Sequence, residues 1–406
     1  MKPLKVCIFT ETYYPVVGGG ETQAQLLAEG LIASGHSVIV ITRRSEKTLK
    51  KQERLGAVTV YRIAPAGSGQ LMKWGLLFSS FPLLIRLRKQ YDLIFVSGFR
   101  IIGISAVLAS SFLRKSCILK ADSQGEMSGE FFTDGLLKLG FSPAWMPFRL
   151  FLGLRNKILR KADAFSAISS DIAVELSLSS IPPNKIHMIP NSVDTARFFS
   201  VTFEQKTRLR KKLGIPQNAI AVIYTGRLVS YKGLPTLLKA WRKIGEKHND
   251  VHLYLVGTGG LDIHNCEAEI RDYVKTNHME SCVHFAGSVQ NVPEYLQSSD
   301  IFAFPSENDA FPSSLIEAMA CALPVITTSV GAIKTFISNE QNGMIVQPGD
   351  DHHLYHALDQ IISDPVLANR LGKAGLDTVQ TAYRSEVVTE KYLSLFHQTK
   401  KNSFGL

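Results

Sequence analysis

Two carboxylates, Asp309 and Glu317, stand with seven residues between them on a stretch that reads strand, loop, helix. It opens with the apolar run Asp300 to Pro305 and enters a polar loop containing the small residues Ala310, Pro312, Ser313 and Ser314. A helix is expected to start near Ser313 or Ser314, with Glu317 in its first turns. The first turn of a helix has unpaired N–H groups and the positive end of the dipole, a natural seat for phosphate. Carboxylates only accept hydrogen bonds, which suits sugar hydroxyls. The loop could therefore hold both the phosphate and the hydroxyls of a nucleotide sugar. Taken alone, Glu317 reads more simply as a helix-start acid and Asp309 as a solvated loop acid.

Other residues shift that balance. Arg227 and Lys232 lie five apart in a loop between a strand, Ala219 to Tyr224, and a helix, Leu234 to Lys247. Two cations near a helix start suit a diphosphate leaving group. With Asp309 and Glu317 in the same half, they argue for one convergent polar site. In the first half, Gly18, Gly19 and Gly20 follow the strand Lys5 to Thr10 and precede a helix from Glu21 to Ser34. They favour close backbone approach by a ligand or make a plain flexible turn; they are not a GxGxxG dinucleotide fingerprint. Asp122 and Glu126 follow the strand Ser116 to Ala121, at the strand end where open α/β sheets put their chemistry.

The elements behind these residues alternate strand and helix along both halves. The expected fold is α/β: two doubly wound Rossmann-like domains facing a central cleft. The first spans 1–194 and the second 206–380, with Thr195 to Gln205 as linker. Phe131 to Phe141 reads as a less regular segment, and Ser363 to about Lys400 as helical.

The 406 residues are 45% hydrophobic and 20% charged, ordinary for a folded domain protein. Five scattered cysteines, with no CxxC pair and no His at metal-ligand spacing, suggest reduced thiols in a cytoplasm and no metal site. No signal peptide is read, and no apolar run reaches the roughly 18–20 residues of a membrane span. Residues 1–190 carry 24 Lys and Arg against 13 Asp and Glu, whereas the remainder is nearly balanced. Within that basic half, Trp145 to Lys161 alternates basic and bulky apolar residues at helical spacing. It reads equally as a core helix with a solvated basic face and as one lying on anionic lipid. No nucleic-acid motif accompanies the charge, so no nucleic-acid partner is expected.

The second half resembles the retaining glycosyltransferases of the GT-B-fold family 4, the glycosyl transferases group 1. The resemblance rests on Pro190 to Asp194, Gly226-Arg227-Leu228 with Lys232-Gly233, and Val256 to Gly259. It continues through Pro305-Ser306, Phe311-Pro312, Glu317 to Ala320, Pro324 to Ile326 and Gly343, and extends more weakly over the first half. It implies a donor that is a UDP- or GDP-sugar and a glycan or lipid-linked acceptor. The product would be a bacterial surface polysaccharide or glycoconjugate. Arg227 and Lys232 would hold the diphosphate and Glu317 the ribose hydroxyls. Backbone amides near Pro312, Ser313 and Ser314 would meet phosphate or sugar, and Val289 would border the base. Gly18 to Gly20 would approach the diphosphate from the other domain. Asp309 stands where the family usually has a Glu that contacts the donor sugar, with Glu307 nearby as an alternative. Asp122 stands where many relatives place a His. A C-terminal helix, about Glu386 to Gln398, would pack back on the first domain.

The resemblance further implies metal-independent chemistry with no cofactor. It also implies retention of configuration, with the leaving phosphate acting as base. A cytoplasmic enzyme is expected, peripheral on the inner face of a membrane. Competing readings are a nucleotide-sugar epimerase, a phosphorylase, and a non-catalytic nucleotide-sugar-binding or assembly protein with a decayed site.

Overall fold

The computed structural model describes residues 2–16, 18–67, 70–138, 140–260 and 262–400. Val17, beside the triple glycine, and Leu139, in the segment read as less regular, lie outside the described residues. The chain divides into two compact units. Unit 1 comprises Met1–Asn191 and Ser385–Leu406, and unit 2 comprises Ser192–Arg384.

Among the described residues of unit 1, eight strands form one sheet. They are β1 (Lys5–Thr10), β2 (Ser37–Arg43), β3 (Gln52–Leu55), β4 (Val58–Ile63), β5 (Leu93–Ser97), β6 (Ser116–Ala121), β7 (Ala164–Ala167) and β8 (Ile186–Met188). Their order is β3-β4-β2-β1-β5-β6-β7-β8. Only β3 and β4 pair antiparallel. The central strands read as unbroken apolar runs because helices cover both faces. β3 escapes such a reading: Gln52-Glu53-Arg54-Leu55 is polar and half exposed. The helices are α1 (Gly19–Ala33), α2 (Gln70–Arg86), α3 (Ile102–Leu113), α4 (Thr133–Lys138), α5 (Met146–Leu159) and α6 (Ser170–Leu178). The segment read as less regular contains a 3-10 turn, Glu130–Phe132, and then α4.

Unit 2 begins with α7 (Phe203–Leu213), which corrects the linker drawn from Thr195 to Gln205. The Thr202 hydroxyl accepts from the Gln205 backbone N–H, while the Gln205 side chain accepts from the Thr202 backbone N–H. This capping box starts a helix where the apolar pattern shows nothing. The unit continues with β9 (Ile220–Thr225), α8 (Leu234–Lys247), β10 (Val251–Val256), α9 (Glu267–Thr276), β11 (Val283–Gly287) and α10 (Val292–Ser298). Then come β12 (Ile301–Phe304), α11 (Ser313–Ala320), β13 (Val325–Thr328), α12 (Ile333–Phe336), β14 (Met344–Val346), α13 (Asp351–Ser363) and α14 (Pro365–Ala382). The parallel sheet runs β11-β10-β9-β12-β13-β14.

The helical tail is not continuous. The Tyr383 carbonyl accepts from the Val193 N–H at 2.9 Å, outside any helical ladder, and the chain restarts as α15 (Ser385–Thr399). α15 belongs to unit 1, where Val388, Tyr392, Leu395 and Phe396 join the buried cluster around β1, β2 and α1. Tyr392 stacks edge-on against Phe95, and its hydroxyl lies 3.1 Å from that of Ser166.

Candidate active site

In an open α/β sheet, the crevice for a ligand opens beyond the strand carboxyl ends where strand order reverses direction. In unit 2 that point falls between β9 and β12, because β10 and β11 extend one way and β13 and β14 the other. The loops leaving β9 and β12 carry Arg227, Lys232 and Asp309, and α11, which follows the second loop, carries Glu317.

Lys232 ends a 3-10 turn, Ser230–Lys232, just before α8. Its ammonium meets Asp309 Oδ2 at 2.5 Å and lies 3.4 Å from the Asn308 carbonyl. Asp309 also accepts from the Phe311 N–H at 3.2 Å, so one carboxylate orders the loop and binds the cation. Glu307 is exposed, and its backbone N–H donates to the Tyr231 carbonyl. Asp309, rather than Glu307, therefore occupies the cluster. Arg227 pairs with Asp262 and donates to the Tyr231 hydroxyl at 2.7 Å. The Tyr231 ring lies beneath both cations, with Lys232 Nζ 5.3 Å from its centroid.

Close backbone packing fixes the two loops. Gly233 sits at φ +72°, and a Cβ there would lie 1.9 Å from the Pro305 carbonyl oxygen. Only glycine lets the turn after β9 touch the turn after β12 this closely. Likewise, a Cβ on Gly257, at φ +140°, would lie 1.8 Å from the Gly226 oxygen.

α11 begins with Pro312 as its N-cap, and no side chain caps it. The amides of Ser313 and Ser314 thus head a helix with Pro312 at its mouth, as expected for an anion seat. Glu317, in the second turn, is partly exposed and receives no side-chain hydrogen bond from the described residues. Burial pushes its carboxyl up from an ordinary 4.5 to about 7, with Arg197 pulling the other way. An acid held this way is short of donors, which ligand hydroxyls would supply. Val289 is half-buried beyond the end of the edge strand β11, two strands from β9.

Unit 1 has its own reversal point, between β1 and β5. The triple glycine is not a turn throughout: Gly18 is the extended N-cap of α1, while Gly19 and Gly20 are helical. A Cβ on Gly20 would lie 3.4 Å from Asp122 Oδ2, and one on Gly98 3.2 Å from the same atom. Asp122 therefore faces the head of α1. Its Oδ2 accepts from the Ser97 hydroxyl at 2.8 Å, and its Oδ1 pairs with Lys120. Burial pulls the Lys120 ammonium down, but Asp122, Tyr392 and Glu126 together hold the group above its ordinary pKa. Glu126 is turned inward, 1% exposed, and accepts from the backbone N–H groups of Phe99 at 2.9 Å and Asp122 at 3.1 Å. Burial raises its carboxyl to about 7 despite the Arg100 guanidinium. Glu126 thus holds the backbone at Phe99 and Asp122, whereas the Asp122 carboxylate faces the head of α1.

Sequence reasoning missed Asp262, Tyr231, Ser97 and Lys120. Only Lys120 carried a visible signal, as a charge inside an otherwise apolar strand.

Two doubly wound α/β units, each with polar groups gathered at its strand-order reversal, make up the GT-B fold. Residues 205–378 match the family of glycosyl transferases group 1, and residues 17–197 match glycosyltransferase family 4. The chain belongs to the group 1, family 4 glycosyltransferases.

Its relatives include the N-acetyl-alpha-D-glucosaminyl L-malate synthase of Bacillus anthracis, 26% identical over 96% of this chain and 97% of that protein. The GPI3 subunit of the phosphatidylinositol N-acetylglucosaminyltransferase of Saccharomyces cerevisiae is 27% identical over 82% of this chain and 70% of that protein. The fold matches Anabaena HepE, solved with UDP and glucose, with a TM-score of 0.75 at 18% identity over 97% and 99% of the two chains. No helix of the described residues is long and apolar enough to cross a membrane.

Proposed function

We propose that this glycosyltransferase moves a hexosyl group, with retention and without a metal, from a UDP-sugar to a glycan or lipid-linked acceptor. Its setting is surface polysaccharide or glycoconjugate synthesis at the cytoplasmic face of a membrane. The observation that carries the reading is the Lys232–Asp309 pair beside the uncapped head of α11. An arriving diphosphate competes for Lys232. Asp309, released from the cation, then has an oxygen free to accept from a hydroxyl of the sugar. Arg227 adds the second positive charge, and Glu317 accepts from the ribose hydroxyls.

In the reaction, the bond from the sugar C1 to the diphosphate oxygen breaks through an oxocarbenium-like transition state. Arg227, Lys232 and the α11 dipole meet the charge left on the diphosphate. The acceptor oxygen bonds to C1 on the face the diphosphate leaves. The acceptor proton passes to a leaving phosphate oxygen. The UDP choice is supported by HepE, which was solved with UDP, and a sugar of the N-acetylglucosaminyl type by the names of the two relatives.

The test is a thermal-shift series with UDP, GDP and ADP, with and without EDTA, on the wild type and Arg227→Ala. Stabilisation by UDP, indifferent to EDTA and lost in the variant, is expected. Stabilisation by GDP instead replaces the donor base, and dependence on a divalent cation refutes metal independence. NMR of the anomeric proton in the product decides retention.

A further inference from the structure

The connections β4–α2–β5, β5–α3–β6 and β6–α5–β7 all advance the same way along the unit 1 sheet. Right-handed crossovers therefore put α2, α3 and α5 on one face. Trp74 of α2 meets Phe151 of α5 with ring centroids 5.4 Å apart, so the three helices form one packed layer.

Each of these helices turns an apolar stripe outward at i, i+4 spacing. Trp74 and Phe78 of α2 are 36% and 76% exposed, Leu108 and Phe112 of α3 40% and 70%, and Leu150 and Leu154 of α5 68% and 63%. A water-facing helix normally carries its polar residues there. None of the three contains Asp or Glu. On the opposite face, α1 carries Glu21 and Glu29, and α15 carries Glu386 and Glu390. Cations are present instead: Arg149 and Lys157 of α5 are exposed, as are Arg160 and Lys161 just beyond it. The next helix, α6, contains Asp171, which is half-buried and engaged, and Glu175, which accepts from the backbone N–H groups of Gly125, Met127 and Ser128.

We propose that this three-helix layer is a docking face for an anionic lipid bilayer. The apolar stripes enter the headgroup–acyl boundary and the cations meet lipid phosphates; the three helices add no acidic repulsion of their own, and Glu130 is the exposed acid of the turn Glu130–Phe132 that packs on them through Phe132. A second copy is a poorer occupant, because a two-fold contact would set this cationic face against itself. The inference deepens the membrane-side placement proposed above and does not depend on the transfer chemistry.

Flotation of the full chain with vesicles tests it, using phosphatidylcholine alone or with about a third phosphatidylglycerol. Binding is expected only to the anionic vesicles, weakened by salt. It should fall about fivefold for each of Arg149→Ser and Lys157→Ser. Leu150→Asp with Leu154→Asp should reduce it at least tenfold, while the UDP thermal shift persists and shows the variant folded. Failure of the wild type to bind anionic vesicles overturns the proposal, as does binding unchanged in the double variant. A dimer that the double variant breaks, without vesicle binding, overturns it in favour of self-association. Vesicle binding without any nucleotide shift would instead sink the donor reading alone.

Discussion

Replacing Glu317 with Gln should make the protein more stable at alkaline pH and weaken its hold on nucleotide. Burial raises the carboxyl from 4.5 to about 7, so the folded state binds more protons than the unfolded chain between those values. Stability then falls as pH rises through that window and stays lowered above it. At about 1.36 kcal/mol per pH unit the full penalty is about 3 kcal/mol. Glu317 keeps some contact with water, so about half of that is expected, ~1.5 kcal/mol. For a unit of this size that is about 3–6 °C in the unfolding temperature. Scanning calorimetry of wild type and Glu317→Gln at pH 5 and pH 8 measures it. The variant should gain at pH 8 and match the wild type at pH 5. UDP affinity at pH 8 should fall about tenfold, as a charged acceptor becomes a neutral one. A variant that melts lower at pH 8, or a gap identical at both pH values, refutes the reasoning.

Arg227→Ala should weaken UDP binding about ten- to a hundredfold by calorimetric titration, the worth of charged hydrogen bonds to phosphate. Lys232→Ala should do the same and also leave Asp309 without its cation, so Lys232→Ala with Asp309→Asn should melt higher than the single variant. Gly233→Ala should cost about 2–4 kcal/mol in urea unfolding, because its Cβ meets the Pro305 carbonyl and its φ is positive. Glu126→Ala should cost about 3 kcal/mol by stripping the acceptor from the Phe99 and Asp122 N–H groups and unpairing Arg100. Glu126→Gln, which keeps an acceptor oxygen, should cost less in the same assay.

The α/β architecture and most strands were legible because helices cover both sheet faces. Runs such as Val6 to Phe9 and Ile301 to Phe304 are fully buried and read as continuous apolar segments. The boundary of α7 was not, because its start is written in the polar pair Thr202 and Gln205 and its face is mostly cationic. The break before α15 was hidden for another reason: it depends on the Val193 N–H, nearly two hundred residues away in sequence. In the site, Arg227, Lys232, Asp309 and Glu317 could be named from type and spacing. Their actual partners could not, since Asp262 and Tyr231 reach Arg227 only through the folded loops. The same limit separates Asp122 from Glu126, two acids four apart, of which one faces the head of α1 and the other holds the backbone.

That α15 completes unit 1 has a consequence for biosynthesis. The ribosome makes residues 1–191 first, yet their core lacks Tyr392, Leu395 and Phe396 until all of unit 2 has been synthesised. Unit 2 is contiguous in sequence and can close as soon as it emerges. The half made first is therefore the half finished last. During the delay, the groove between α1 and the sheet, edged by Phe95 and Leu31, stands open as apolar surface that a nascent-chain chaperone would hold.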